Sequence, residues 1–217
     1  MPGDICGKYE RIAGWFDANR GRQLMEREYL EAMTSRLPEG GSVLDLGCGS
    51  GEPLAGFFIR KGFKVTGMDG SPAMIALCRE RFPSMEWLVG DMRGLALGRR
   101  FDAVLAWDSF FHLSMDEQRA MFPVFGAHLK PGGCLLFTSG PSAGDITGDI
   151  QGEEFPYSSL DAEEYRRLLA EQGLSVLLHR TEDPDCGKHT VWLAAGKTGP
   201  ALKLLRVFCG IFQSVGG

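Results

Sequence analysis

Short, nearly continuous apolar runs alternate along this chain with longer stretches whose apolar residues recur at helical spacing. SVLDLG (42–47), FKVTGM (63–68), MEWLVG (85–90), FDAVLAW (101–107) and GCLLFTS (133–139) are predicted strands, most of them bounded by Gly or Pro. Continuous apolarity is what parallel strands covered on both faces require. Helices are predicted between them by their end signals. Ser71 followed by Pro72 is an N-cap with proline at the first helical position, and Ser114 with Glu117 is a capping box opening a helix over 115–129. Asp161 with Glu164 is an analogous cap, across which Leu160 can staple onto Tyr165. Gly62 and Gly173 stand where left-handed helix stops belong. The alternation predicts an α/β fold of the Rossmann-like, doubly wound, mostly parallel kind.

The pattern changes at both ends. LSVLLHRTED (174–183) and HTVWLAAG (189–196) are β-like runs joined by only PDCGK, so they must form a hairpin. They bring the expected sheet to seven strands, the last of them antiparallel. The first 40 or so residues read as amphipathic helix, with Tyr9, Ile12, Trp15 and Phe16 at helical spacing and then Leu24, Met25, Leu30, Met33 and Leu37. We therefore expect a single domain over 1–217: an N-terminal helical cap or lid (1–40), a core (41–196) and an apolar tail (197–217) that packs on its own domain.

The 217-residue chain suits one domain. Lys and Arg total 23 against 28 Asp and Glu, a net charge of −5, which makes nucleic acid a poor partner. No apolar run is long enough to span a bilayer, and the N-terminus lacks the pattern of a secretory signal. The six cysteines are scattered without a Cys-x-x-Cys pair, which predicts reduced thiols and a cytoplasmic location. Asp183, Asp185, Cys186 and His189 are metal-like in type, but Cys-x-x-His without a second pair is incomplete as a zinc site. No metal is expected there; a polar hairpin is the plain reading, with His189 or Trp192 able to face an acceptor pocket.

The chemistry concentrates in Val43 to Pro53, where a strand enters a glycine-rich turn and Pro53 can open a helix. Such a turn lets backbone approach a ligand closely. Its glycines follow G-x-G-x-G rather than the dinucleotide G-x-G-x-x-G, and Glu52 stands beside the turn, where it would repel a pyrophosphate. Asp45, two residues before Gly47, suits an ammonium. Asp69, at the end of the second strand, can accept from two ribose hydroxyls, and Asp91, after the third, from an adenine amino group. These strand ends share one sheet edge. Together they describe a phosphate-free nucleoside with an amino-acid-like tail, S-adenosylmethionine.

The segments VLDLGCGSG, VTGMD, GDM, FDAVLAWDSFFHL and LKPGGCLLFTS, in this order over residues 40–140, resemble the class I S-adenosylmethionine-dependent methyltransferases. The resemblance implies that fold, the cofactor with S-adenosylhomocysteine as product, and a small-molecule acceptor that it does not name. It implies that Gly47, Cys48, Gly49 and Gly51 wrap the methionine portion, with Asp45 near its ammonium. It places Asp69 on the ribose with Gly70 and Ser71 beside it, Asp91 and Met92 on the adenine, and Trp107 under the sulfonium end. Tyr9, Arg20 and Arg22 are candidates for closing over the cofactor. His112, Asp108 and His189 are candidate catalytic residues, each with a structural role as its alternative. Trp15, Phe16, Trp107, Phe110 and Phe111 could form an apolar roof. A non-catalytic S-adenosylmethionine-binding protein is the main competing reading, and a nicotinamide-dependent oxidoreductase a weaker one. The asparagine-proline-proline-aromatic sequence of nucleic-acid methyltransferases is absent after the fourth strand. Monomer and homodimer both remain open.

Overall fold

The computed structural model describes residues 4–197. Each capping signal sits where the sequence puts it. Ser71 accepts from the backbone of Met74 and opens α4 (Pro72–Arg81). Ser114 and Glu117 form a reciprocal capping box on α5 (Met115–His128), and Asp161 caps α6 (Ala162–Glu171) through the N–H of Glu164. The N-terminal cap comprises α1 (Ile5–Asn19) and α2 (Arg27–Thr34); α3 (Leu54–Arg60) follows the glycine turn.

β1 (Ser42–Leu46), β2 (Lys64–Asp69), β3 (Glu86–Val89), β4 (Phe101–Ala106) and β5 (Leu129–Ser139) run parallel. β8 (Leu174–Asp183) and β9 (His189–Gly196) complete a seven-stranded sheet in the order β3-β2-β1-β4-β5-β9-β8. The last strand is the antiparallel one. It does not close the sheet, however: β9 inserts between β5 and β8 and leaves β8 at the edge. This insertion brings the first residue of β9, His189, to the sheet edge at which the parallel strands end.

Strand side chains alternate between two apolar layers. Val43, Val65, Leu105 and Leu136 join Leu30 and Met33 of α2 and Phe57 and Phe58 of α3. Leu44, Val104, Leu135 and Phe137 meet Phe122 and Phe125 of α5 and Leu168 and Leu169 of α6. Trp192 belongs to this second layer, stacked on Phe137 with ring centroids 5.9 Å apart, and so faces the core rather than an acceptor pocket.

A feature outside the sequence expectations is an antiparallel ribbon, β6 (Gly144–Ile150) and β7 (Glu153–Ser159), inserted after β5. Gln151 and Gly152 turn it with φ of 56° and 78°, the left-handed pair that a two-residue hairpin needs. Residues 198–217, which carry the apolar tail, lie outside the described residues.

Candidate active site

Three strand-end loops meet at one edge of the sheet. The N–H groups of Gly47 and Cys48 both donate to the carbonyl of Met68, tying the glycine turn to β2. Gly47 has φ of +74°, and a Cβ there would stand 2.2 Å from the Cβ of Ser109. Gly49 has φ of +53°, and a Cβ there would meet only the Phe16 ring, at 3.7 Å. Any side chain at Gly49 would therefore enter the space between the turn and α1. Asp69 bridges two loops: its Oδ2 accepts from the N–H of Gly49 and its Oδ1 from that of Ser71, both at 2.9 Å. Burial pushes its pKa up, although those backbone bonds favour the charged form.

Between these loops and α1 lies a cavity of about 230 Å³. One arm is lined by Gly47, Cys48, Gly49, Asp69 and Gly70, with Asp91 and Met92 from the loop after β3. Arg93 holds the Asp91 carboxyl below its usual range and also reaches Glu117 at 2.5 Å. Glu52, which lines the same arm, is bonded to Arg60 at 2.8 Å. The other arm is lined by Trp107, Asp108, Ser109 and His112, with Tyr9, Phe16 and Arg20 coming from α1 and its C-cap.

Several expected site residues stand behind this lining. Asp45 is buried beneath the turn, its Oδ2 without a partner among the described residues. Burial, with the charge of Asp69 adding to it, raises its pKa to about 7. Gly51 faces Cys78 and Phe82 instead of the cavity. Ser71 is buried, caps α4 and donates its hydroxyl to Glu10 of α1. Arg22 turns outward to Asp17 at 2.9 Å, and Arg20 takes the inward position, donating to the buried Glu26 at 2.8 Å. Asp17 explains the choice. Its carboxylate is already fixed to Arg81 of α4 and draws the neighbouring Arg22 out of the site. The roof is narrower than expected: Trp15 is 41% exposed and Phe110 lies in the core, leaving Phe16 and Trp107.

The three catalytic candidates form two groups. His112 is buried, and burial lowers its pKa despite its bond to Pro156 and the nearby charge of Asp108. This environment favours the neutral ring. The Pro156 carbonyl can only accept, so Nδ1 donates to it at 2.9 Å and Nε2 accepts the Tyr9 hydroxyl at 2.9 Å. Asp108 and His189 form the other pair, Nε2 to Oδ1 at 2.8 Å. The second ring nitrogen of His189 faces the carbonyl of Cys186 at 2.6 Å. Burial opposes charging of this imidazole, but the Asp108 hydrogen bond and charge outweigh it and raise its pKa. The hairpin's other polar residues point elsewhere: Asp183 accepts from Tyr29, and Cys186 is buried in the core.

The sequence reading missed two contributors. Glu26 is fully buried under Arg20, although a glutamate at a helix start ordinarily reads as a solvated residue. Phe155 of the ribbon is fully buried against Tyr9 and His112, with ring centroids 4.8 and 5.7 Å away. Arg11 of α1 is bonded to Glu153 at 2.6 Å, which ties the ribbon to α1.

Comparison with known proteins agrees with this geometry. Residues 43–133 match the family described as Methyltransferase domain. The chain is 36% identical over 108 residues to dTDP-3-amino-3,4,6-trideoxy-alpha-D-glucopyranose N,N-dimethyltransferase of Streptomyces venezuelae, covering 49% of this chain and 45% of that one. It thus spans about half the length of such curated relatives. It is 39% identical over 168 residues to the magnesium-protoporphyrin O-methyltransferase of Rhodobacter capsulatus, covering 65% of this chain and 73% of the relative. Its fold is that of the SAM-bound amino pentose methyltransferase from Micromonospora echinaspora, with a TM-score of 0.63 at 23% identity over 85% of this chain and 95% of that one. With the three strand-end loops in place and most of one relative matched, this chain belongs to the class I S-adenosylmethionine-dependent methyltransferase family.

Proposed function

We propose that the protein is an S-adenosylmethionine-dependent methyltransferase that acts on a small-molecule acceptor by direct in-line transfer. The observation that carries this reading is the two-armed cavity, acidic and glycine-lined on one side, aromatic and hydrogen-bonded on the other. The first arm fits the cofactor. Asp45 leaves a buried carboxylate oxygen unpartnered beneath the turn, a complement for an ammonium. Asp69 and Asp91 supply acceptors for ribose and adenine. In this reading Gly47, Cys48 and Gly49 hold the methionine portion and Arg20 pairs with its carboxylate. Met92 lies against the adenine, and Trp107 and Tyr9 flank the sulfonium end.

The cofactor supplies an electrophilic methyl group carried on a sulfonium. The chain's own work is to fix the acceptor in line and to exclude water. α1, latched to α4 through Asp17 and Arg81 and to the ribbon through Arg11 and Glu153, closes the site. An acceptor that loses a proton can hand it to the Tyr9 oxygen while the Tyr9 hydrogen passes to His112 Nε2; Pro156 holds the ring for this exchange.

The relatives' printed names, amino-sugar and porphyrin methyltransferases among them, support a small acceptor. The net charge of −5 argues against nucleic acid. No described helix is long and apolar enough to cross a membrane. The free thiols of Cys6, Cys48, Cys78, Cys134 and Cys186 support a cytoplasmic setting. A monomer and a homodimer are both compatible with the site.

Calorimetric titration with S-adenosylmethionine, S-adenosylhomocysteine and NADH tests the reading. The first two should bind and NADH should not; the reverse overturns it. S-adenosylhomocysteine binding without turnover across a panel of amines, alcohols, thiols and acids would make the protein a non-catalytic binder instead.

A further inference from the structure

In the second arm nearly every polar side chain is already committed. The Ser109 hydroxyl donates to the Leu46 carbonyl at 2.6 Å. Both nitrogens of His112 are engaged, the Tyr9 hydrogen is spent on that ring, and Arg20 is compensated by the buried Glu26. Asp108 differs. Its Oδ1 is held by His189, whereas the nearest cation to Oδ2 is Arg20 Nη2 at 3.9 Å, beyond hydrogen-bond range. The side chain is 31% exposed and lines the cavity.

The backbone also marks this residue. Asp108 has φ of +49°, a left-handed conformation uncommon outside glycine, secured by its N–H donating to Thr138 Oγ1 at 2.9 Å. His189 is in turn fixed between Asp108 and the Cys186 carbonyl. A carboxylate pinned through one oxygen, whose other oxygen has no hydrogen-bond partner among the described residues and whose side chain lines a cavity, is preorganised for a donor in that cavity. The surrounding walls are the aromatic rings of Tyr9, Phe16 and Trp107, whose faces attract alkylammonium groups.

We infer that Asp108 is the anchor for a cationic, amine-bearing acceptor and that His189 positions its carboxylate. The inference rests on the methyltransferase reading and narrows its acceptor to amines.

The test uses protein saturated with S-adenosylhomocysteine and three probes of one shape: cyclohexylamine, cyclohexanol and cyclohexanecarboxylate. Binding is read by calorimetry at pH 7.5. Cyclohexylammonium should bind at least about tenfold more tightly than the other two. Asp108→Asn should abolish that preference while leaving S-adenosylhomocysteine affinity unchanged. Asp108→Gly, which suits the left-handed backbone, should do the same and serves if the asparagine variant unfolds. Cyclohexanol or cyclohexanecarboxylate matching the amine, absence of binding by all three, or a preference that survives in both variants overturns the anchor. Failure of the wild-type protein to bind S-adenosylhomocysteine would overturn the methyltransferase reading itself, a separate outcome.

Discussion

Replacing Asp45 with asparagine should remove a pH dependence that the wild-type protein carries in both stability and cofactor binding. Asp45 lies in the centre of the sheet, 2% exposed, with one oxygen unpartnered among the described residues. Burial and the neighbouring Asp69 charge raise its pKa from 3.8 to about 7. The folded state therefore keeps a proton that the unfolded chain releases near pH 4. This group's contribution is most favourable below pH 4 and is lost as pH rises to 7, beyond which it levels. At about 1.4 kcal/mol for each pH unit between the two values, the loss comes to about 4 kcal/mol. Urea unfolding of both proteins from pH 4 to 8 should show the wild-type-minus-variant difference falling by about that amount. Binding should respond in the opposite sense. An ammonium beside Asp45 favours the ionised carboxylate, so wild-type affinity for S-adenosylhomocysteine should rise with pH, by at most about tenfold per unit, until pH passes about 7. Titrations in two buffers of different ionisation heat should reveal a released proton, absent in Asp45→Asn. A stability difference that stays constant with pH would refute the burial argument. Identical heats in the two buffers would refute contact with the ammonium.

Three further outcomes follow from the same geometry. Asp69→Asn keeps the shape but removes the charge that Gly49 and Ser71 share and that the proposed function assigns to the ribose. It should weaken S-adenosylhomocysteine binding by about 1–3 kcal/mol, and calorimetry showing unchanged affinity would exclude the ribose role. Gly49→Val places a β-branched residue at a φ of +53° with its Cβ toward Phe16; circular dichroism should show a folded protein, and normal cofactor affinity in it would count against the turn. Phe155→Ala empties a fully buried site beneath Tyr9 and should cost about 3 kcal/mol. Its hydrogen exchange should rise first in residues 5–19, and an unchanged melting temperature would show that the ribbon does not support α1.

The core was legible because its signals are local. Apolar runs, caps such as Ser71 and Ser114, and the stops at Gly62 and Gly173 are set by neighbours in sequence, and they stand as expected. The ribbon escaped because Gly144, Asp145, Gly148 and Asp149 are poor strand formers and Gln151-Gly152 is a weaker turn signal than Asn-Gly. The choice between Arg20 and Arg22 depends on Asp17 being held by Arg81, a contact between α1 and α4 that spacing along one helix cannot reveal. Aromatic residues at helical spacing carry the same ambiguity: Phe16 lines the cavity, Trp15 faces solvent and Phe110 fills the core. Asp108 and His189 were each visible as polar residues in loops. Their pairing depends on β9 running antiparallel next to β5, which is a property of the assembled sheet.

Segments outside the span that matches the family line part of the second arm of the cavity and support the rest of it from behind. Residues 43–133 contain the glycine turn, Asp69, Asp91 and Asp108, whereas Tyr9, Phe155 and His189 come from the leading helix, the inserted ribbon and the terminal hairpin. Each of these three segments joins the parallel core through a loop. Under the proposed function, acceptor preference is the property most open to exchange of these pieces, and a chimera carrying a foreign ribbon in place of 144–159 should change it while leaving S-adenosylhomocysteine affinity unchanged.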